Sequence, residues 1–519
     1  MAGTALVKSP GRFKRALIEL GVINRPLTKR VYEAAQVSRF TEDWFASIMS
    51  PRQEIQFDLI KIRARARALV RDNALARRFI GMCQANVVGP KGIRLRARTP
   101  TIDGGELRSP ENAAIEDAWR VWGTMENASL SKGQSWLDHQ SGAVAAMHTD
   151  GEALFRLIKG AKNAFGFTLQ QIDADLLNQE VNLQGAPGKN SITMGVETNP
   201  NGEVVAYHCW KRHPTDSMPD QGIIVIPADE MIHLKNPLGL RIGQVRGVSS
   251  FAAVMMPLRM LGAYIENELI ASRASSAKLG FFLPTAETAM TSQETATTIH
   301  PSMDMTPGSW SELPPGMTVD HYDPQHPMQQ FGDFIRATLR IVSTGLNVSF
   351  SSLTGDLSAA NYSSSRAGLI EEREQWRLQH SYLIEHFLRP VYKAWLPMAA
   401  LSGQLKIPPQ DLIALAEPTF IPRGWQWTDP LKDRQAAVMG IQNGLSSRTI
   451  EAAEEGHDIE DIFRDLADED QLAAKHGITL NTAPPMPPHP MGGGPANAEP
   501  STTGDSGNTG SPGDADSGQ

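Results

Sequence analysis

The sequence predicts an α+β fold built of several units, and three observations carry that reading. Residues 150–235 break into short apolar runs of strand length with turn residues between them. Residues 329–401 read instead as one amphipathic helix, a polar loop and a second, much longer helix. A chain of 519 residues can also bury a substantial core and divide into more than one domain without covalent staples.

Taken in order, residues 1–50 carry scattered Pro and Gly and only short apolar groups, as in an N-terminal arm that a neighbour would order. From Gln56 to Val88 the positions Leu59, Ile62, Ala66, Leu69, Val70, Phe79, Ile80 and Met82 fit helices, with a break near Asp72 and Asn73. Ile93 to Arg98 alternates apolar with basic residues, as a strand does, and Glu111–Gly123 and Trp136–Met147 read as further helices. Leu154–Lys159, Phe165–Ile172, Ile192–Thr198, Val204–Trp210 and Ile223–Pro227 then form a mostly antiparallel β region, so that residues 51–248 make one unit of helices followed by strands.

Residues 249–278 place Leu258, Leu261, Ile265 and Leu269 on one helix face, with Pro257 near the start of the regular part or bending it. Residues 279–328 are rich in Thr, Pro, Met and Gly and suggest short strands and turns. Lying between two helices, this segment projects from their shared end if they pack antiparallel. The next helix, within 329–348, carries Phe331, Phe334, Ile335, Leu339 and Val342 on one face, and Gly345 and Asn347 stop it because they tolerate a left-handed turn. The loop 349–362 is rich in Ser, Gly, Asp and Asn, which favour turns, and offers no core.

Residues 363–428 open on the long helix, capped by Ser363 or Ser364, with Glu371, Glu372 and Glu374 opposing the positive end of its dipole. Leu369, Trp376, Leu383, Phe387, Val391 and Trp395 form its apolar stripe, and Pro390 predicts a kink near Arg389. Unbroken to Leu401 it would span on the order of 55 Å. The plainest account of such an element is a long core helix. Residues 429–480 read as short helices around Ala436–Ile441, Ser447–Glu455 and Ile459–Ala474. Residues 481–519 are Pro, Gly, Ser, Thr and Asp with almost no large apolar group, too little to offset ordering entropy, and predict a disordered tail.

Charge is unevenly spread. The net charge is -8, yet residues 1–100 hold 20 Lys and Arg against 7 Asp and Glu, and residues 429–519 hold 5 against 16. The basic end suits a nucleic acid or an acidic partner, with Arg63, Arg65 and Arg67 as candidate contacts; equally, these arginines could solvate the outer face of a helix. The two cysteines, Cys83 and Cys209, argue against a disulfide framework, and neither has a companion at metal-ligand spacing. No secretory signal or membrane-spanning stretch is present in the sequence, which predicts a soluble protein with no membrane partner.

A search for chemistry finds little. Asp173 and Asp175 could serve as an acid and base pair or bind a metal, and His208, His213 and His233 could cluster, but their spacing is not that of ligands. GAPGKN at Gly185 lacks the spacing and hydroxyl residue of a phosphate loop, and HExxH, GxSxG and a helix-opening GxGxxG are missing. Arg246 to Ser250 could hold a phosphate at a helix N-terminus, though a plain cap explains the serines as well. No catalytic residue, metal or cofactor is assigned, and the expectation is a non-enzyme.

Several separated stretches do carry a resemblance: NVVGPKGIRLRAR from Asn86, DGEALFRLI from Asp150, QQIDADLL from Gln170, GVETNPNGEVVAYHCWKRHP from Gly195, IPADEMIHL from Ile226, GQVRGVSSFAAVM from Gly243 and GDLSAANYSSSRAGLIEER from Gly355. In this order the chain resembles the lambda-type family of bacteriophage portal proteins from about residue 40 to 475.

The resemblance implies a portal-protein fold: a wing (51–248), a two-helix stem (249–278 and 329–348), a small clip (279–328), a channel loop (349–362), a long kinked helix returning to the wing (363–428) and an α-helical crown (429–480). It implies a homo-oligomeric ring, usually of twelve, at the unique capsid vertex, through which double-stranded DNA is packaged and ejected without sequence specificity. Implied partners are the terminase large subunit, the major capsid protein or scaffold, and head-tail connector proteins. Implied locations are the virion and, during assembly, the bacterial cytoplasm. Ser358, Asn361, Tyr362 and Ser363 would then face the channel as neutral polar groups that touch DNA weakly, since tightly held phosphates would oppose sliding. Packing of that loop on a neighbouring subunit explains the same residues. Another head-tail adaptor, or a nucleic-acid-processing enzyme, is the alternative function.

Overall fold

A computed structural model describes residues 48–98, 109–216, 222–276, 280–284, 317–321, 331–358, 362–425, 430–478 and 480. The expected arm and tail lie outside the described residues, as does most of 279–328.

The helical layer begins with α1 (Pro51–Ile55), α2 (Leu59–Asp72) and α3 (Ala74–Cys83). Asn73 ends one helix and caps the next, its Oδ1 accepting from Leu75 N at 3.0 Å and Ala76 N at 3.1 Å, at the break that the apolar pattern predicts. A π turn at Gln84–Val88 follows, then β1 (Arg94–Arg96), α4 (Ser109–Trp122), α5 (Met125–Ala128) and α6 (Trp136–Thr149). Ser135 and Asp138 cap α6 reciprocally.

Against this layer lies an antiparallel sheet in the order β3 (Phe167–Ile172), β2 (Glu152–Lys159), β8 (Met231–Lys235), with Glu152 opposite Lys235 and Phe155 opposite Gln171. β8 has no counterpart among the five strand runs read from the sequence, because it follows directly on Ala228–Glu230, a single helical turn. A second sheet runs β4 (Ser191–Thr193), β5 (Val196–Thr198), β6 (Val204–Trp210), β7 (Ile223–Pro227). The single run expected over Ile192–Thr198 is therefore a hairpin, turned by Met194 and Gly195, both at positive φ. β2 is buried on both faces, since successive strand residues point opposite ways: Phe155 packs into the main core with α6 and the long helix, and Leu154 packs with Val196, Tyr207 and Ile226 of the second sheet. Cys83 and Cys209 are buried in these two separate cores.

After a short turn at Ser250–Ala253, α7 (Met255–Ser276) pairs with α8 (Phe331–Gly345). Tyr264 meets Phe334 at 5.0 Å and Phe331 at 5.7 Å, while Val254 lies against Gly345, so the two helices run antiparallel. β9 (Gly280–Pro284) and β10 (Met317–His321) form an antiparallel ribbon between them.

The long helix comes as α10 (Tyr362–Leu383) and α11 (Arg389–Leu401), joined by a π turn at Ile384–Leu388 in which Arg389 N reaches back to Ile384 O. Pro390 thus falls directly after the π turn as an early residue of α11, and Pro397 lies inside that segment. Trp376, Leu383, Phe387, Val391 and Trp395 are buried as the stripe predicts, but Leu369 is exposed. Trp395 meets Trp119 at 4.9 Å, and Trp119 meets Trp122 at 4.6 Å and Trp136 edge-on at 5.5 Å, which fastens α11 to α4 and α6. β11 (Thr419–Ile421) pairs with β1, and α12 (Pro430–Gln442), α13 (Arg448–Glu454) and α14 (Ile459–Lys475) follow.

Candidate functional site

The helix pair α7 and α8 is held to the sheets by a network of buried charge. Gly151 and Gly247 cross back to back: a Cβ on Gly247 would lie 1.9 Å from Gly151 O, and Gly151 has φ +87°. That close approach sets Arg246 over Glu152. Both are fully buried; Arg246 Nε donates at 2.9 Å to Glu152 Oε2, and Nη1 donates to Met194 O at 2.9 Å and Leu177 O at 3.2 Å. Glu152 also accepts from Arg63 at 2.6 Å and pairs with His233 at 3.0 Å. Burial opposes ionisation of Glu152, but Arg246, His233 and Arg63 overcome it and hold the carboxyl well below the usual range.

Arg63 and Arg67 stand four apart on α2 and so share a face. Arg63 donates to Asp175 at 2.7 Å; Arg67 grips Asp150 with two bonds, at 2.7 and 2.8 Å, and reaches Asp173 and Asp175 at 2.7 Å each. This corrects two expectations. Arg63, only 2% exposed, cannot serve as a partner contact, and Arg67 is taken up by three carboxylates, which leaves Arg65 as the exposed member of the three. Asp173 and Asp175 are neutralised by arginine rather than poised as acid and base. His208 pairs with Glu197, His233 with Glu152 and His213 with Asp175, so the three histidines form no joint site. Arg246, being buried, is not available to an external phosphate, and Ser249 caps the turn that follows it.

The loop after α8 also departs from expectation, because its first half has a core. Asn347 takes φ +58°, as predicted, and donates to Gln375 at 2.9 Å; Ser349 N donates to Glu372 at 3.2 Å. Ser349 then caps a short helix, α9 (Phe350–Thr354), whose Leu353 is fully buried and whose Ser352 O accepts from Arg78 at 2.9 Å. Among the described residues after it, Gly355, Leu357 and Ser358 are exposed, with Ser358 N donating to Asp356 at 2.9 Å. Asn361 lies outside the described residues. Tyr362 and Ser363 begin α10.

The loop is thus pinned at one end to the long helix, beside an antiparallel helix pair with a strand ribbon between its two helices in sequence. The sequence model described as "Phage portal protein, lambda family" matches residues 37–379. The chain belongs to the lambda family of phage portal proteins. The portal is 29% identical over 462 residues to the probable portal protein of Halomonas phage phiHAP-1, covering 87% of this chain and 88% of that one. It is 24% identical over 301 residues to portal protein B of Escherichia phage lambda and over 305 residues to the portal protein of Escherichia phage N15, in each case 52% of this chain and 56% of the relative. Among solved structures, a chain from the virion of a native gene transfer agent particle aligns at TM-score 0.41 and 13% identity over 77% of this chain and 93% of that one. A chain from the neck of that particle, computed with C12 symmetry, gives 0.40 and 12% over 76% and 93%. Among the described residues no helix is long and apolar enough to cross a membrane.

The residues that sequence reading missed are Asp150 and Glu152, and it read Arg246 as a phosphate contact rather than as the partner of Glu152. Their signal was present: arginines four apart on α2, and acidic residues two apart at 150 and 152 and again at 173 and 175.

Proposed function

We propose that copies of this portal associate side by side into a ring at the unique capsid vertex, and that double-stranded DNA passes through its central hole during packaging and ejection. One observation carries the assembly reading beside the family match. Met256, Met260, Leu269 and Ile270 of α7 and Phe334 and Ile341 of α8 are each more than half exposed in the single chain, a density of large apolar groups that an isolated helix pair does not leave in water. Neighbouring copies cover them, and a rotationally closed ring satisfies every copy alike.

On this reading residues 51–248 are the wing, 249–278 and 329–348 the stem, 279–328 the clip, 363–428 the long helix returning to the wing, and 429–480 the crown. Residues 349–362 are the channel loop, with Ser358, Asn361, Tyr362 and Ser363 toward the DNA. Arg65 is the surviving basic contact for the capsid protein or scaffold. The terminase large subunit and then connector proteins dock at the ring. Sedimentation of the purified full chain tests assembly: a single species of about twelve copies is expected, and a monomer at every concentration and salt would overturn the proposal.

A further inference from the structure

Between the α/β unit and the C-terminal helices lies a cleft of about 780 Å³. Lys91 and Arg94, Arg373 of α10, Arg423 and Arg434 of α12 line it, and among the described residues Glu455 is the one carboxylate that lines it. Arg434 pairs with Glu455 at 3.0 Å and Arg94 is 3.8 Å from Asp461, so among the described residues cations outnumber carboxylates at the cleft.

The cations are built into place. Gly89 has φ +69°, and a Cβ there would come within 2.8 Å of Arg423 Cδ. Across that gap Arg423 donates to Ala85 O and, at 3.3 Å, to Asn86 Oδ1, both neutral acceptors. Arg373 lies over the Trp425 ring at 5.8 Å, and that ring stacks on His380 at 5.5 Å. Burial and then the adjacent cations Arg377 and Arg423 lower the Arg373 pKa from its ordinary value, against the opposing charge of Asp433. A bound anion would further offset the repulsion between Arg373 and Arg423.

We infer that this cleft binds phosphate groups of a duplex DNA backbone. The inference rests on the portal reading, which brings DNA to the ring, and adds a contact site away from the channel loop. Guanidinium forks match phosphate oxygens, and a contact made to the backbone alone is independent of sequence. The acidic start of α14 in a second copy is the competing occupant, but within each copy that turn is already engaged: Asp458 lies 2.7 Å from Arg96, Glu460 also pairs with Arg96, and Asp461 faces Arg94.

The test uses assembled rings of the full chain and a short labelled duplex, with affinity measured against salt. Lys91→Gln and Arg423→Gln should each reduce the slope of log affinity against log salt by about 1. Lys91 is exposed, so its variant keeps the test open if Arg423→Gln does not fold. An unchanged slope in rings that electron microscopy shows to be intact would overturn the site while leaving the portal reading standing. So would an unchanged slope in rings that lose subunits, which would assign the cleft to a neighbouring copy, or binding of inorganic phosphate without binding of duplex. Failure of the unsubstituted chain to form rings would overturn the portal reading itself, and this inference with it.

Discussion

Arg246 and Glu152 face each other with neither side chain reaching solvent, Arg246 Nε lying 2.9 Å from Glu152 Oε2. The arginine belongs to the segment leading into α7 and the carboxylate opens β2, so the pair joins the helix hairpin to the sheet. Removing one partner of a buried pair strands the other, at a cost of about 3–5 kcal/mol. Arg246→Met should lose that much in urea unfolding, and a double-mutant cycle with Glu152→Gln should show coupling of at least ~1 kcal/mol. A loss below about 0.5 kcal/mol, the range of ordinary surface changes, would remove the pair from this role.

Stability should fall as the pH is lowered from neutrality, and the buried histidines set where. Burial lowers the pKa of His139, His148 and His380 from 6.5 to about 4 in each case, against the weaker pull of the Asp138 charge on His139, of Gln379 on His148 and of the Asn86 and Val87 backbone on His380. Between those values the unfolded chain binds protons that the folded chain refuses, so unfolding becomes easier as pH falls from 6.5 toward 4. Glu152 acts in the same direction further down: its pKa is depressed, so its contribution is present above the unfolded value of 4.5 and lost as pH falls through the folded one. Denaturation midpoints measured from pH 7.5 to 4.5 should show this decline, and His380→Gln should flatten it by about one proton. A flat profile in the unsubstituted chain would contradict the burial argument.

Arg65 and Arg63 should respond in opposite ways to charge reversal. Arg65→Glu alters an exposed position and should leave unfolding within about 0.5 kcal/mol while lowering incorporation into procapsids. Arg63→Glu places a carboxylate against Glu152 and Asp175 and should destabilise the chain by several kcal/mol, roughly as for a broken buried pair. Full incorporation of Arg65→Glu would remove it as a partner contact.

For the channel loop, Asn361→Ala with Tyr362→Ala should lower the amount of DNA packaged per particle without changing ring formation. Normal packaging by that double variant would assign the loop to contacts between subunits instead.

The helices were legible in the sequence wherever apolar spacing and stop signals agreed, as at Asn73 and Asn347. The break in the long helix was legible from Pro390, though the π turn that absorbs it just upstream was not, because no residue type demands one. β8 was hidden by the single helical turn before it, and Leu353 by the polar residues around it. The buried network escaped because Arg63 and Arg67 look like solvated charge in one dimension. Only the fold brings Asp150, Glu152, Asp173 and Asp175 to the face they share. Family membership was legible from stretches that this network and the crossing at Gly151 and Gly247 constrain, including DGEALF, QQIDADLL and GQVRGVSS.

Averaged electron micrographs of the purified full-length chain test the central claim most directly. The account predicts end-on views of a closed ring with a central hole wide enough to admit a DNA duplex. Compact single particles without a hole, or rings whose centre is closed to a duplex, would contradict it.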